Sequence, residues 1–456
     1  MRIQILLPLS LVVAACSLAA PLPGQSAAVG EIKYDSFTLP NGLRVVYAED
    51  HTVPVVAVDL WYNVGSRNER PGRTGFAHLF EHMMFEGSAH VAKSAHFQYV
   101  ERAGGQLNGS TNDDRTNYWD ELPSNRLNLA LWLEADRMRS LAITEPNFEN
   151  QRETVKEERR LRIDNQPYGA AFSDGFAWPF DTATCFPYAH TTIGSMDDLN
   201  AAKLPDVQAF FDTYYAPNNA TLVVTGDFQP DELRRLVSSD FGAIPRHDPP
   251  PPVSCAFTLS PGTQRRDVPD AHATLPASIR YYRVPAHNNA DIPALELLAT
   301  ILGQGESSRL NVGVVRRAKA ALAAGASMDD DRRGPGVFLA FGVSNQGISI
   351  EHVDSLVAVE IDSVRANGVS DTELTKAKNQ FRAGYIGNRE TALSRAEEIH
   401  HYLMFHDSLS EINTDVARYL AVTVADIRRV ASTYLDPANA VIVTVKPAAS
   451  TGGNPQ

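Results

Sequence analysis

Two segments lying 220 residues apart constrain the fold of this chain more than any other feature. "DVQAFFDTYYAPNNATLVVTG" starts at Asp206 and "DIRRVASTYLDPANAVIVTVK" at Asp426; they align without a gap, matching Tyr214 with Tyr434, Pro217 with Pro437 and Asn219 with Asn439. In both, an amphipathic helical pattern ends at a Pro/Asn turn and feeds an apolar β run, Leu222 to Thr225 and Val441 to Val445. A match of this length predicts a duplicated α+β unit rather than one large domain. Between the copies, Pro249 to Pro252 in "PRHDPPPPVSCAF" can sustain neither a helix nor a central strand, and mark a linker.

The expected fold is therefore α+β, two homologous domains of sheet plus helices. The expected organisation is a signal segment over 1–28, a first domain over 29–245, a linker over 246–275, a second domain over 276–447 and a flexible tail over 448–456. In the first copy "FTLPNGLRVVYAED" reads as strand, Asn-Gly turn and strand, and "VPVVAVDLWYNVGS" extends the sheet. Helical periodicity follows over 73–86, 124–142 and about 146–163, and "GGQLNGSTNDDRTNYWDEL" has the turn residues and alternation of another hairpin.

The N-terminus carries Arg2, an apolar run from Ile3 to Ala15 and then small and polar residues, the pattern of an export signal. The run is too short to span a bilayer. Val13-Ala14-Ala15-Cys16 resembles a bacterial lipobox with Cys16 as the lipidated residue; the alternative is ordinary cleavage near Ala19 or Ala27. Either route places the mature protein outside the cytoplasm, in the periplasm or on the periplasmic face of a membrane. Cys185 and Cys255 then remain, enough for one bridge in an oxidising compartment or for two free thiols.

A formal net charge of −13, with no dense Lys/Arg run interleaved with aromatic residues, argues against nucleic acid as a partner. No G-x-S-x-G elbow is present, which disfavours an esterase, and "GQGESS" lacks the lysine of a phosphate loop.

Chemistry concentrates in "TGFAHLFEHMMFEGS", residues 74–88. Residues four apart on a helix share a face, so His78 and His82 can present two imidazoles to one ion, with Glu81 on the same side. A catalytic zinc takes a third protein ligand and keeps one position open. The acidic segment "NFENQRETVKEERRLR" offers Glu149, Glu153, Glu157 and Glu158. If Phe148, Val155 and Leu161 mark its buried stripe, Glu158 faces inward and Glu157 turns about 100° away. The alternative role for Glu158 is an ion pair with a neighbouring arginine.

His78-Leu79-Phe80-Glu81-His82 followed by Glu158 resembles the inverted zinc motif of the pitrilysin/insulinase family of metallopeptidases. "FEGS", "GGQLNGSTNDDRTNYW", "QRETVKEERR", "NQPYG" and "YAHTTIGSMDDL" are similar to family segments, and the resemblance runs from about residue 36 to 447. It implies a zinc endopeptidase acting on peptides or unfolded polypeptides, with one Zn2+ per chain held by His78, His82 and Glu158, and with Glu81 as general base. It also implies that Asn108 lies near the substrate backbone, beside a hairpin able to pair with an extended peptide.

Two departures from the family pattern follow. Gln151 stands where the family often has a glutamate beside the metal ligands. In the second half Arg316 matches a substrate-binding arginine, but Leu322 stands near the position of its partner tyrosine. A peptide chamber in this family needs four homologous domains, so a dimer is expected, either of identical chains or with a homologous chain lacking the zinc motif. The rival implication is a catalytically weak or silent partner subunit. Outside the motif, His400, His401 and His406 in "EEIHHYLMFH" read as a solvated helix face, and His51, His90 and His96 as loop residues.

Overall fold

The computed structural model describes residues 30–259 and 262–448. The expected signal segment with Cys16, and the tail from 449 onward, lie outside the described residues. Among the described residues no helix is long and apolar enough to cross a membrane.

The first half forms β1 (Asp35–Thr38), β2 (Arg44–Glu49), β3 (Val55–Tyr62), β4 (Gln106–Thr111), β5 (Thr116–Pro123) and β6 (Ala220–Gly226). These make one sheet in the order β1-β2-β6-β3-β5-β4. Its helices are α1 (Phe76–Met83), α2 (Ala95–Arg102), α3 (Leu127–Ser140), α4 (Glu145–Arg159), α5 (Gly169–Gly175), α6 (Met196–Ala201), α7 (Leu204–Tyr214) and α8 (Pro230–Phe241).

The second half forms β7 (Gln264–Asp270), β8 (Ala277–Val284), β9 (Ala321–Asp329), β10 (Gly336–Ser344) and β11 (Ala440–Pro447), in the order β7-β11-β8-β10-β9. Its helices are α9 (Ile292–Gly303), α10 (Ile350–Asn367), α11 (Asp371–Gly387), α12 (Ala392–Phe405), α13 (Val416–Ala421) and α14 (Val424–Tyr434).

The duplication holds in the topology. Apart from β1, the two sheets share one order, with a single parallel pair in the same place: β2 beside β6, β7 beside β11. The register repeats as well, since Arg44 faces Thr221 and Gln264 faces Val441, each pair displaced by the same 220 residues. The structure corrects the expected linker at this point. Residues 246–275 contain β7, the counterpart of β2. "QRRDVPD" is polar and carries Pro269, which a sheet accepts only at an edge, and β7 is an edge strand.

Both faces of both sheets are covered, which explains why their central strands read as continuous apolar runs. Successive residues point to opposite faces. Val45 and Tyr47 join the main core of the first half, whereas Val46 and Ala48 meet Ala396, Ile399 and Tyr402 of α12, a helix of the second half. The exchange is reciprocal: Ala171 of α5, with Phe180, Cys185 and Tyr188 after it, packs on Ile279, Tyr281, Val441 and Val443 of the second sheet. Cys185 and Cys255 are joined in a disulfide, their Cα atoms 4.9 Å apart. It ties the exchanged segment of the first half to the linker.

The exchange also overturns the reading of "EEIHHYLMFH" as a solvated face. His400 is buried, its ring stacked on Trp61 with centroids 4.7 Å apart and Nε2 3.0 Å from the Asp59 carbonyl oxygen. His96, expected in a loop, is a buried residue of α2 with Nε2 3.3 Å from Asp120 Oδ1.

Candidate metal centre

α1 has an apolar side, Phe76, Ala77, Leu79, Phe80 and Met83, which is buried in the core of the first half and turns His78, Glu81 and His82 the other way. Its N-terminus has no side-chain cap of its own. Glu69 from the preceding loop supplies one, accepting from the N–H groups of Gly75 and Ala77 at 2.8 and 2.7 Å. Gly75 enters the helix at φ 87°, and a Cβ there would stand 2.6 Å from the Ile193 carbonyl oxygen, so only glycine fits this approach. The loop around Gly194 is thereby packed against the start of the helix.

α4 packs across α1. It starts at Thr144, whose side chain accepts from the Asn147 N–H, and buries Phe148 and Val155. Leu161, expected to continue that stripe, is 56% exposed. The α-helix passes into a π turn over Arg160–Asp164, and a stripe extrapolated at 3.6 residues per turn fails there. Glu158 lies before the change, so its phase holds: Oε2 is 3.2 Å from His82 Nε2 and 3.7 Å from His78 Nε2. Its other oxygen accepts from Arg162 Nη1 at 2.7 Å, so the arginine pairing weighed from sequence coexists with the approach to the histidines. Glu157 points outward and pairs with Arg160.

The two imidazoles lie 4.9 Å apart between centroids and nearly perpendicular, at 83°. One donor atom from each of His78, His82 and Glu158 falls within 4.8 Å of the others. Burial, then the charge of His82, pushes His78 down to about 4, so its ring is neutral at pH 7. For His82 burial acts the same way, but the hydrogen bond with Glu158 and the Glu81 charge outweigh it and raise the pKa. Glu158 is held below the usual carboxylate range, chiefly by that hydrogen bond. Two nitrogens and a carboxylate oxygen converging from two helices are the donor set of a catalytic zinc.

Around this triad the structure supplies three contacts. Gln151 Oε1 is 3.2 Å from His82 Nδ1, so an N–H there can donate to it, which leaves Nε2 free as a ligand; the Gln151 amide nitrogen donates to Glu86 Oε1 at 2.7 Å. His78 Nδ1 is buried without a partner among the described residues. Thr111 Oγ1 donates to Glu81 Oε2 at 2.7 Å, while burial raises the Glu81 pKa. Thr111 and Glu86 were not singled out from sequence. Thr111 shares a strand face with Gly109, where an added Cβ would stand 3.2 Å from Glu81 Cγ, and that period of two was the available signal.

A cleft of about 570 Å³ holds His78, Glu81, His82, Gln151 and Glu158 on one side and Asn108 to Thr111 of β4 on another, with Phe85 and Phe97 as apolar wall. β4 is the edge of its sheet, so one row of its backbone groups has no strand partner. Arg316 is exposed in a π turn over Asn311–Arg317 and does not line this cleft. Leu322, in the corresponding edge strand β9, is 65% exposed.

Comparison with known proteins places this architecture. Residues 44–168 match Insulinase (Peptidase family M16), and residues 201–381 match the Peptidase M16 inactive domain. The zinc protease PqqE of Helicobacter pylori is 31% identical over 423 residues, spanning 91% of this chain and 93% of the relative. The chain belongs to the insulinase family of peptidases. A crystal structure of a protease from Helicobacter pylori superposes with a TM-score of 0.86 at 32% identity, over 91% of this chain and 100% of that one. A probable mitochondrial-processing peptidase subunit beta of Arabidopsis thaliana is 23% identical over 425 residues, 90% of this chain and 78% of the relative. The periplasmic protease PqqL of Escherichia coli shares the fold, with a TM-score of 0.73 at 16% identity over 92% of this chain, but only 49% of PqqL is matched. His78 and Glu158 fall within the segment matching the peptidase domain, and the segment matching the domain described as inactive begins at residue 201 in the first half and runs to residue 381 in the second.

Proposed function

We propose that this protein is a zinc-dependent endopeptidase for peptides or unfolded polypeptides. The observation that carries the reading is the meeting of His78, His82, Glu158 and Glu81 in one cleft beside a free edge strand. The two histidines and Glu158 would hold the ion. When bound, zinc supplies Lewis acidity, polarising the scissile carbonyl and lowering the pKa of water. Glu81, oriented by Thr111, accepts a proton from the attacking water and returns one to the departing amine. β4 pairs with the substrate main chain as an added strand, which positions the bond while reading little of its sequence, and Asn108 contributes to that backbone binding.

Arg316 is exposed and does not line the cleft, so a substrate role for it calls for a second chain. We infer a dimer closing a common chamber. The half-length match to PqqL supports this reading, because a chain twice as long carries this fold in one of its halves. Exposed Leu322 offers no hydrogen bond, so a partner with a polar group there would gain activity over the homodimer. Export to the periplasm, with or without a lipid on Cys16, completes the proposal, and the Cys185–Cys255 disulfide supports it.

The test is metal analysis of the purified chain together with digestion of a mixed peptide library, with and without chelator. Chelator-sensitive cleavage restored by Zn2+ is expected; cleavage indifferent to chelator would contradict the proposal. A fully active monomer would contradict the dimer.

A further inference from the structure

The second half holds a cluster of three histidines that peptide hydrolysis does not use. His401 and His406 stand at the C-terminal end of α12, and His287 lies in the loop between β8 and α9. One ring nitrogen of each falls within 4.8 Å of those of the other two. The rings pack edge to face, with His287 4.6 Å from His401 and 5.1 Å from His406 between centroids.

The orientation of the rings is the informative part. Each Nδ1 faces a carboxylate: His287 meets Asp330 Oδ2 at 2.9 Å, His401 meets Asp331 Oδ1 at 3.5 Å, and His406 meets Glu411 Oε2 at 3.4 Å. The hydrogen bond to Asp330 holds the His287 proton on Nδ1, and the charges of Asp331 and Glu411 favour the same tautomer in His401 and His406. This leaves Nε2 lone pairs to the other side, the arrangement by which metal-binding imidazoles are commonly oriented. On that other side His287 Nε2 and His401 Nε2 stand 3.0 Å apart. Two lone pairs at that distance repel unless a proton or a cation lies between them. A shared proton would account for this pair, but it leaves His406 Nε2, buried in a side chain only 6% exposed, with no partner among the described residues. A cation satisfies all three nitrogens. Two nitrogens each ~2.0 Å from a tetrahedral zinc lie about 3.3 Å apart, close to the spacing already present.

We propose that His287, His401 and His406 form a second metal site, for a divalent first-row transition ion of the zinc class. Imidazole donors select that class over calcium or magnesium, and the carboxylates of Asp330, Asp331 and Glu411 supply the surrounding negative charge. His401, the most exposed of the three at 29%, leaves the fourth position open to water. The site has a structural consequence. Through Ala396, Ile399 and Tyr402 the same helix covers the first sheet, so an ion at its C-terminal end staples that exchanged helix to the second half.

The site is tested independently of peptidase activity. The variant His78→Ala/His82→Ala removes the candidate catalytic ligands; after loading with Zn2+ and exhaustive dialysis, its metal is counted by mass spectrometry. One zinc retained per chain, lost when His401→Gln is added, is the expected result. No retained zinc, or retention unchanged by His401→Gln, would overturn the proposal. Should His401→Gln not fold, carbethoxylation of His401 in the double variant, with and without Zn2+, decides: protection by zinc supports the site, and equal labelling overturns it.

Discussion

Thr111 Oγ1 donates a 2.7 Å hydrogen bond to Glu81 Oε2, linking the edge strand that would receive substrate to the residue that would move the proton. The same contact favours the ionised carboxylate, partly offsetting the burial that raises its pKa. Thr111→Val keeps the shape and removes the donor. Peptide turnover is expected to fall about 10- to 100-fold, the effect of losing one hydrogen bond to a charged group, with metal content unchanged. Equal losses of turnover and metal would mean that Thr111 supports the fold of the cleft instead.

Gln151 mediates between His82 and Glu86, and Gln151→Leu leaves both without that partner. Zinc affinity is expected to drop about 10- to 100-fold, the usual effect of removing the hydrogen bond behind a metal-binding histidine. Competition against a chromogenic chelator measures it. About two turns further along α4, Glu158→Gln should weaken zinc retention more severely than this, and Glu157→Gln should leave it unchanged, because Glu157 pairs with Arg160 on the outer face.

These residues also show what the sequence makes legible. The duplication was readable because β6 and β11 are inner strands with apolar residues on both faces, and in both copies the apolar run follows the same helical pattern and Pro/Asn turn at the same spacing. His78, His82 and Glu158 were readable because helical phase is local. Helical phase is lost at Leu161, where the helix widens into a π turn that the residues do not announce. β7 and the burial of His400 were hidden for a different reason. Each depends on a partner more than 150 residues away, β11 for the one and Asp59 with Trp61 for the other, and periodicity carries no information about such partners.

The Cys185–Cys255 bridge closes a separation of 70 residues between the exchanged segment and the linker. Cys185→Ser/Cys255→Ser should lower the stability to denaturant by about 2–4 kcal/mol, the typical contribution of a native disulfide. Urea unfolding of both proteins without reductant gives the difference; reductant should bring the wild type toward the variant.

Stability should also respond to acid through Glu373. Its hydrogen bond with Arg309 is the main cause that pulls it down from 4.5 to about 2, with the Ser370 N–H assisting and burial opposing. A carboxylate whose pKa is lower in the folded state stabilises the fold above the unfolded value of 4.5, and that contribution disappears as pH falls toward about 2. Glu373→Gln should therefore be less stable than wild type at neutral pH, with the gap closing through that window. A gap independent of pH would assign the effect to packing.

The most direct test of the account is Glu81→Gln, measured for bound zinc and for peptide hydrolysis in the same preparation. The amide keeps the size of the side chain and leaves His78, His82 and Glu158 in place, but it cannot accept the proton of the attacking water. Unchanged zinc and a rate lower by about 10² to 10⁴-fold are expected. Near-normal hydrolysis by Glu81→Gln, or no zinc-dependent hydrolysis by the wild-type chain either alone or with a homologous partner, would contradict it.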